Sequence, residues 1–311
     1  IVYMFKKITF LLLILSPFLN SQIISEELVK RHITVLSSDL MEGRKAGTEG
    51  IEKAAQYIEK EFGRIGLKKY GALKTYRQNF NQEGLSLFNV IGYIEGKSKK
   101  EEFVVISAHY DHLGIKPGNE GDLIFNGAND NASGVSAVLT LAEFYSENKN
   151  NERSILFVAF TAEEMGLLGS NYFGKNIDPQ KISAGINIEM IGKESPFGPK
   201  SAWLTGFNRS DFGKIIQKNL IGSDYKVYPD PYVNFNLFFR SDNASLARLG
   251  VPAHTFSTSP MDKDLNYHKV SDEVNTLDPY TISETIKAIA AGTKSIIDGK
   301  DTPSRVTILK K

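Results

Sequence analysis

Residues Ser154 to Phe160 read Ser-Ile-Leu-Phe-Val-Ala-Phe, and this run limits the fold more than any other stretch of the chain. A strand with one wet face alternates polar and apolar residues. This one offers no face to water, so it reads as a strand buried on both sides, in the middle of an α/β sheet. Just beyond it stand two adjacent carboxylates, Glu163 and Glu164, followed by Gly166. In open α/β sheets ligands collect at the carboxyl ends of the strands. Adjacent acids there repel one another unless a cation or a proton separates their roles. An acidic first turn of a helix, complementing the macrodipole, accounts for the same pair equally well. The other strand ends decide between the two.

The surrounding pattern alternates strand and helix. Phe103 to Ala108 is an apolar strand ending in His109-Tyr110-Asp111-His112, and the loop Gly127–Gly134 opens a helix from about Val135 to Tyr145. Ile182 to Ile191 is a further strand carrying Glu189 near its end, and Val251 to Phe256 another. Helices are predicted over Ser210–Leu220, Asp242–Leu249 and Asp278–Ile297. Towards the N-terminus, Ser25 starts a helix with Leu28, Ile33 and Leu36 on one face. Thr48 is placed to cap a helix over Glu49–Ile65, closed by Gly66. Strands follow at Thr75–Phe80 and Leu87–Ile94. The order predicts a three-layer α/β/α fold with a mixed, mostly parallel central sheet. No linker divides it, so residues 23–311 read as one domain.

Residues 1–22 read differently. Lys6 and Lys7 precede an apolar run from Ile8 to Leu19, and Asn20-Ser21-Gln22 offers a cleavage zone. That is the pattern of an export signal, and the run is short for a membrane span. An exported protein, periplasmic or extracellular and without a stable membrane anchor, is the expectation. The 311 residues carry a formal net charge of +1, which gives no reason to expect nucleic acid as a partner. There is no cysteine, so disulfides, lipoprotein attachment and thiolate chemistry are all excluded.

The polar residues at the strand ends form a set: His109, Asp111, Asp130, Glu163, Glu164, Glu189, and His268 further on. Imidazoles and carboxylates without sulfur suit a catalytic Zn²⁺ with open positions. On a strand, His109 and Asp111 point the same way, so the carboxylate can hold one ring nitrogen while the other meets a metal. Other readings compete. Asp130 and its neighbours Asn129, Asn131 and Ser133 sit where such residues ordinarily form turns and caps. His268 alone reads as a surface residue. His112 reads as a rim residue, His32 as a helix-face residue, and His254 as a hydrogen-bonded core histidine.

Five ordered segments carry a resemblance: Ile106–Gly114, Asn126–Gly134, Phe160–Ser170, Asn187–Gly192 and Tyr267-His268. Together they resemble the co-catalytic di-zinc aminopeptidases of metallopeptidase family twenty-eight, and Ser38–Gly50 is similar to that family's N-terminal segment. The resemblance implies a zinc-exopeptidase fold with two Zn²⁺ ions, Asp130 bridging them. It implies His109 and Glu189 on one ion, Glu164 and His268 on the other. Glu163 becomes the general base for peptide hydrolysis, Asp111 the partner of His109, and Arg240 a substrate contact. It also implies a cis peptide bond between Asp130 and Asn131. Glu189 stands where the family usually has Asp, and Asn243 where a His is common. A Glu at that ligand position accompanies carboxypeptidase or amidohydrolase specificity in more distant di-zinc hydrolases. A glutaminyl-cyclase-like enzyme with one zinc, or a receptor-like binding domain that has lost its ligands, are the other readings of the same fold. The complete ligand set and Glu163 favour an aminopeptidase acting on peptides.

Overall fold

The computed structural model describes residues 24–307, so the export signal read over residues 1–22 lies outside them. Helix α1 (Glu26–Leu36) begins where the Ser25 hydroxyl accepts from the Leu28 amide at 3.2 Å, and it buries Val29, Ile33 and Leu36. Helix α2 (Glu49–Ile65) ends at Gly66, whose φ of 83° lets the chain leave in the left-handed conformation. Thr48 occupies the N-cap of α2 but donates its hydroxyl to the Lys45 carbonyl at 2.7 Å, so the expected side-chain cap is absent.

The sheet then assembles from β1 (Lys68–Lys69), β2 (Arg77–Gln82), β3 (Leu85–Ile94) and β4 (Lys99–His109). A two-stranded ribbon, β5 (Gly114–Ile115) with β6 (Ile124–Phe125), precedes α3 (Gly134–Asn148). Next come β7 (Arg153–Phe160), α4 (Leu168–Lys175), β8 (Ile182–Ile188) and β9 (Ser201–Leu204). The chain continues through α5 (Phe212–Asn219), β10 (Lys226–Pro229), α6 (Asn243–Ala247), β11 (Ala253–Ser257) and α7 (Pro279–Ile297). Nine strands form the main sheet in the order β1-β3-β7-β4-β8-β11-β9-β10, with β2 antiparallel on β3. The four central strands β7, β4, β8 and β11 run parallel, and antiparallel pairs flank them.

Every residue of β7 is buried, as its sequence requires. Ile155, Phe157 and Ala159 share a core with Val29 of α1, Ile58 of α2, Val138 of α3 and Ile286 of α7. Leu156, Val158 and Phe160 face the other way, onto Phe173 of α4 and Leu246 of α6. The result is the expected three layers. Each large side chain buried in this way stabilises the fold by roughly 1.5–3 kcal/mol.

Register sets the height at which the polar residues emerge. His109 is level with Phe160, and Ser107 with Asn187. Counting on from there, His109 and Glu189 leave the sheet side by side, with Glu163 beyond the neighbouring strand. Strand β8 stops at Ile188, short of the expected Ile191, because Met190 turns to a φ of 52° and gives its amide to the Asn131 side chain at 3.2 Å. Strands β9 and β10 were not anticipated, since four residues are too few to display a period.

Candidate metal centre

His109 closes β4, and Asp130 arrives from the loop between β6 and α3. That loop is tied down by its own polar side chains. Asn131 donates to the Ile188 carbonyl at 3.0 Å and accepts from the amides of Gly134 and Met190. Asn129 accepts from the Gly192 amide at 2.8 Å and donates to Ser259, while Ser133 donates to the Asn129 carbonyl at 2.7 Å. These three residues anchor the loop, as the turn-forming reading has it. The Asp130–Asn131 peptide is cis, in agreement with the resemblance.

The fold brings the five expected ligands together. Ligand atoms of His109, Asp130 and Glu189 all lie within 4.8 Å of one another. The two oxygens of Asp130 face opposite ways. Oδ1 is 3.2 Å from His109 Nε2, and Oδ2 is 3.2 Å from His268 Nε2. The same His268 nitrogen is 3.2 Å from Glu164 Oε1. His112 also enters this group, and the rim position expected of it is not what is found: it is buried, with Nδ1 2.9 Å from Glu164 Oε1. Its Nδ1 stays 4.0 Å from Asp130, however, so His268 is the better placed to share a cation with both carboxylates.

Three buried atoms in this cluster have no hydrogen-bond partner: His109 Nε2, His112 Nε2 and Glu189 Oε2. Stranded polar atoms of that kind are costly unless something absent from the protein satisfies them. A divalent cation fits, and a donor set of imidazole nitrogen and carboxylate oxygen suits zinc.

The charges agree. Burial by itself would raise the Asp130 carboxyl, but the imidazoles of His109 and His268 beside it prevail and hold it well below the usual range. Glu189 has less help: burial lifts it to about 7, against the pull of His109. Glu163 enters neither donor set, and burial, then Glu189, Asp242 and Glu164, raise it well above an ordinary glutamate, with His109 opposing. Its backbone is fastened. The amides of Glu163 and Glu164 donate to Asp111 at 3.0 and 3.2 Å, following Ala162 at a φ of 54°. Asp111 therefore differs from the expectation. Its carboxylate is 3.8 Å from His109 Nδ1, while its main-chain oxygen is nearer, at 3.2 Å. The Asp111 side chain chiefly holds the Glu163-Glu164 turn, and its backbone steadies the ring.

A cleft of about 470 Å³ opens over these residues. Arg240 lines it, with Nη2 3.5 Å from the Tyr267 hydroxyl. The aromatic run from Tyr232 divides: Leu237 and Phe239 face the cleft, while Phe238 packs into the core. Asp242 was read as a helix start and, in Arg240-Ser241-Asp242, as part of a segment similar to one that lines the family's substrate pocket. It is buried with both oxygens unpartnered, and burial lifts it to about 7. At the start of α6 it looks like a cap, although it makes no capping bond. His254 is the core histidine expected, bonded through Nδ1 to Thr205 and Nε2 to Ser210.

Three layers around a parallel centre, with carboxylates and imidazoles at its carboxyl edge, define the class as that of the zinc exopeptidases. The LapA aminopeptidase of Legionella pneumophila has this fold, at a TM-score of 0.71 and 21% identity over 90% of this chain and 74% of that one. The chain belongs to peptidase family M28, which it matches over residues 89–293. It is 29% identical to a probable leucine aminopeptidase of Arthroderma otae over 75% of this chain and 62% of that protein. A glutaminyl cyclase of Porphyromonas gingivalis shares the fold too, at a TM-score of 0.67 and 16% identity, over 88% of this chain and 99% of that one. Likeness at that level shows architecture alone. The chain spans from 22% to 62% of the length of the first curated relatives it matches.

Proposed function

We propose that the chain is a zinc-dependent aminopeptidase with two metal sites. The observation that carries this reading is the division of Asp130, one oxygen towards His109 and the other towards His268 and Glu164. His109 and Glu189 would hold one Zn²⁺, Glu164 and His268 the other, with Asp130 shared. Bound there, zinc would polarise a peptide carbonyl and make a water easier to deprotonate. Glu163 takes the proton from the attacking water on its carboxylate and passes it to the leaving amine. Asp111 fixes where that carboxylate stands by holding the two amides of the turn. The apolar wall of Leu237 and Phe239 receives the side chain of the cleaved residue and keeps water from it.

The test is a substrate panel with the zinc content measured alongside. Release of amine from free amino-acid amides, with two zincs per chain, is the expected result. Preference for N-acetylated peptides would replace the reading with a carboxypeptidase or amidohydrolase, in line with Glu at position 189. Ring closure of N-terminal glutamine with one zinc would make the chain a cyclase. Export is part of the same proposal, supported by the basic and then apolar character of residues 1–22. Among the described residues no helix is long and apolar enough to cross a membrane. A cell-associated, unprocessed chain would count against export.

A further inference from the structure

Arg44 lies in the polar turn Ser38–Gly50, upstream of residues 89–293, and none of the chemistry above uses it. Even so, it is among the most deeply buried side chains in the protein, 1% exposed. Among the described residues no carboxylate oxygen lies within ion-pair distance of it. Its guanidinium spends its donors on main-chain carbonyls instead. Nε donates to Tyr110 at 2.9 Å, and Nη1 to Leu36 and Asn126 at 2.5 and 2.6 Å. Nη2 donates to Gly127 at 2.9 Å. Tyr110 stands between His109 and Asp111, and Asn126 and Gly127 lead into Asp130. One planar cation therefore grips both of the backbone segments that meet at the proposed bridging carboxylate.

The opposite face of the same loop is held by an anion. Asp272, four residues past His268, is buried, and its carboxylate accepts from the amides of Asn129 and Asp130 at 2.9 and 3.0 Å. Its main-chain oxygen takes the Ala128 amide at 3.1 Å. The carbonyls of Asn126 and Gly127 thus point to Arg44, and the amides of Ala128, Asn129 and Asp130 to Asp272. The backbone is shaped to let the arginine in. A Cβ on Gly43 would meet the Gly114 oxygen at 2.4 Å, and Arg44 itself sits at a φ of 49°. A buried charge with four of its five N–H donors committed to main-chain carbonyls fixes its surroundings closely, because any shift strands a polar atom in the interior.

We propose that Arg44 and Asp272 are a positioning pair for the metal centre: they set the height and tilt of Asp130 between the two donor sets and so govern how tightly metal is held. The proposal rests on the metal-site reading above. Lysine cannot substitute at position 44, since an ammonium is a point donor and cannot span four carbonyls placed around a planar fork. Groups that orient ligands in this way typically alter metal affinity about 10- to 100-fold when replaced.

The experiment is chelator competition for Zn²⁺ on the full chain, comparing the parent with Arg44→Lys and Asp272→Asn. Circular dichroism identifies the folded variants. Affinity weaker by about 10- to 100-fold in both is the expected result. For Arg44→Ala, added guanidinium ion well below denaturing concentration should recover part of the loss, which a general destabilisation would not allow. Parental affinity in either folded variant overturns the proposal. If Arg44→Lys does not fold, the near-isosteric Asp272→Asn decides alone: weakened binding supports the pair, parental binding removes it. A parent that itself binds no zinc would sink the metal-site reading, and that outcome is distinct from either variant result.

Discussion

Glu163 is fixed through its backbone and free at its carboxyl, which is the division of labour a proton carrier needs. Glu163→Gln should keep both zincs and lower kcat by roughly 10²- to 10⁴-fold; loss of metal together with activity would return Glu163 to the ligands. Glu189 makes the opposite case, because its Oε2 is stranded in the interior. Titrating zinc into metal-free Glu189→Ala should give one tight site where the parent gives two, and unchanged stoichiometry would take Glu189 out of the site. His109, Glu164 and Glu189 were legible because each is a polar residue at or just beyond the end of an apolar run, whereas Asp130 and His268 stand in polar loops and gained their roles only from the resemblance. His112, Asp242 and Asp272 were not legible. Each looks like an ordinary loop or cap residue in its local sequence, and only distant contacts, such as Glu164 against His112, reveal what it does.

Among the elements, β7 was the most legible, since only burial on both faces explains seven residues without a polar side. The junction of α3 with β8 was the least. There the helix begins at Gly134, where a Cβ would lie 2.3 Å from the Ile188 oxygen and 2.4 Å from Asn131 Oδ1. Nothing local in Ser-Gly-Val announces that contact, which belongs to a strand some fifty residues later. Neither neighbour can retreat, because Asn131 is itself bonded to Ile188 and Met190. Gly134→Ala should therefore cost about 1–3 kcal/mol. Thermal unfolding of the zinc-free protein should register that as a fall of several degrees, at roughly 2–4 °C per kcal/mol for a domain of this class. An unchanged melting temperature would mean that the helix start can slide.

For the molecule as a whole, two buried histidines outside the metal centre set a response to acid. His32 lies on the buried face of α1 with Nδ1 2.7 Å from the Tyr57 hydroxyl, and burial, then Arg31 and Arg64, lower it to about 3. Burial likewise lowers His254 to about 4, the Thr205 carbonyl opposing. An unfolded histidine binds its proton near 6.5, so below that pH the unfolded chain takes up protons that the folded one refuses. The stability these groups confer is complete above about pH 6.5 and drains away as pH falls towards 4 for His254 and 3 for His32. Urea unfolding at several pH values should give the parent a steeper loss across that window than His32→Gln, by up to about 1.4 kcal/mol per pH unit. Equal slopes would mean that His32 is protonated in the fold. The donors of the metal centre lie as far apart in the chain as His109 and His268, and strand ends and loops bring them together only once the sheet has closed. A cation that finds them binds the native state and not its competitors, so its free concentration acts as a thermodynamic weight on folding. A site held at a thousandfold excess over its dissociation constant adds about 4 kcal/mol to the native state. The melting temperature of this protein should then rise and fall with zinc activity, making its persistence a readout of how much metal its surroundings hold.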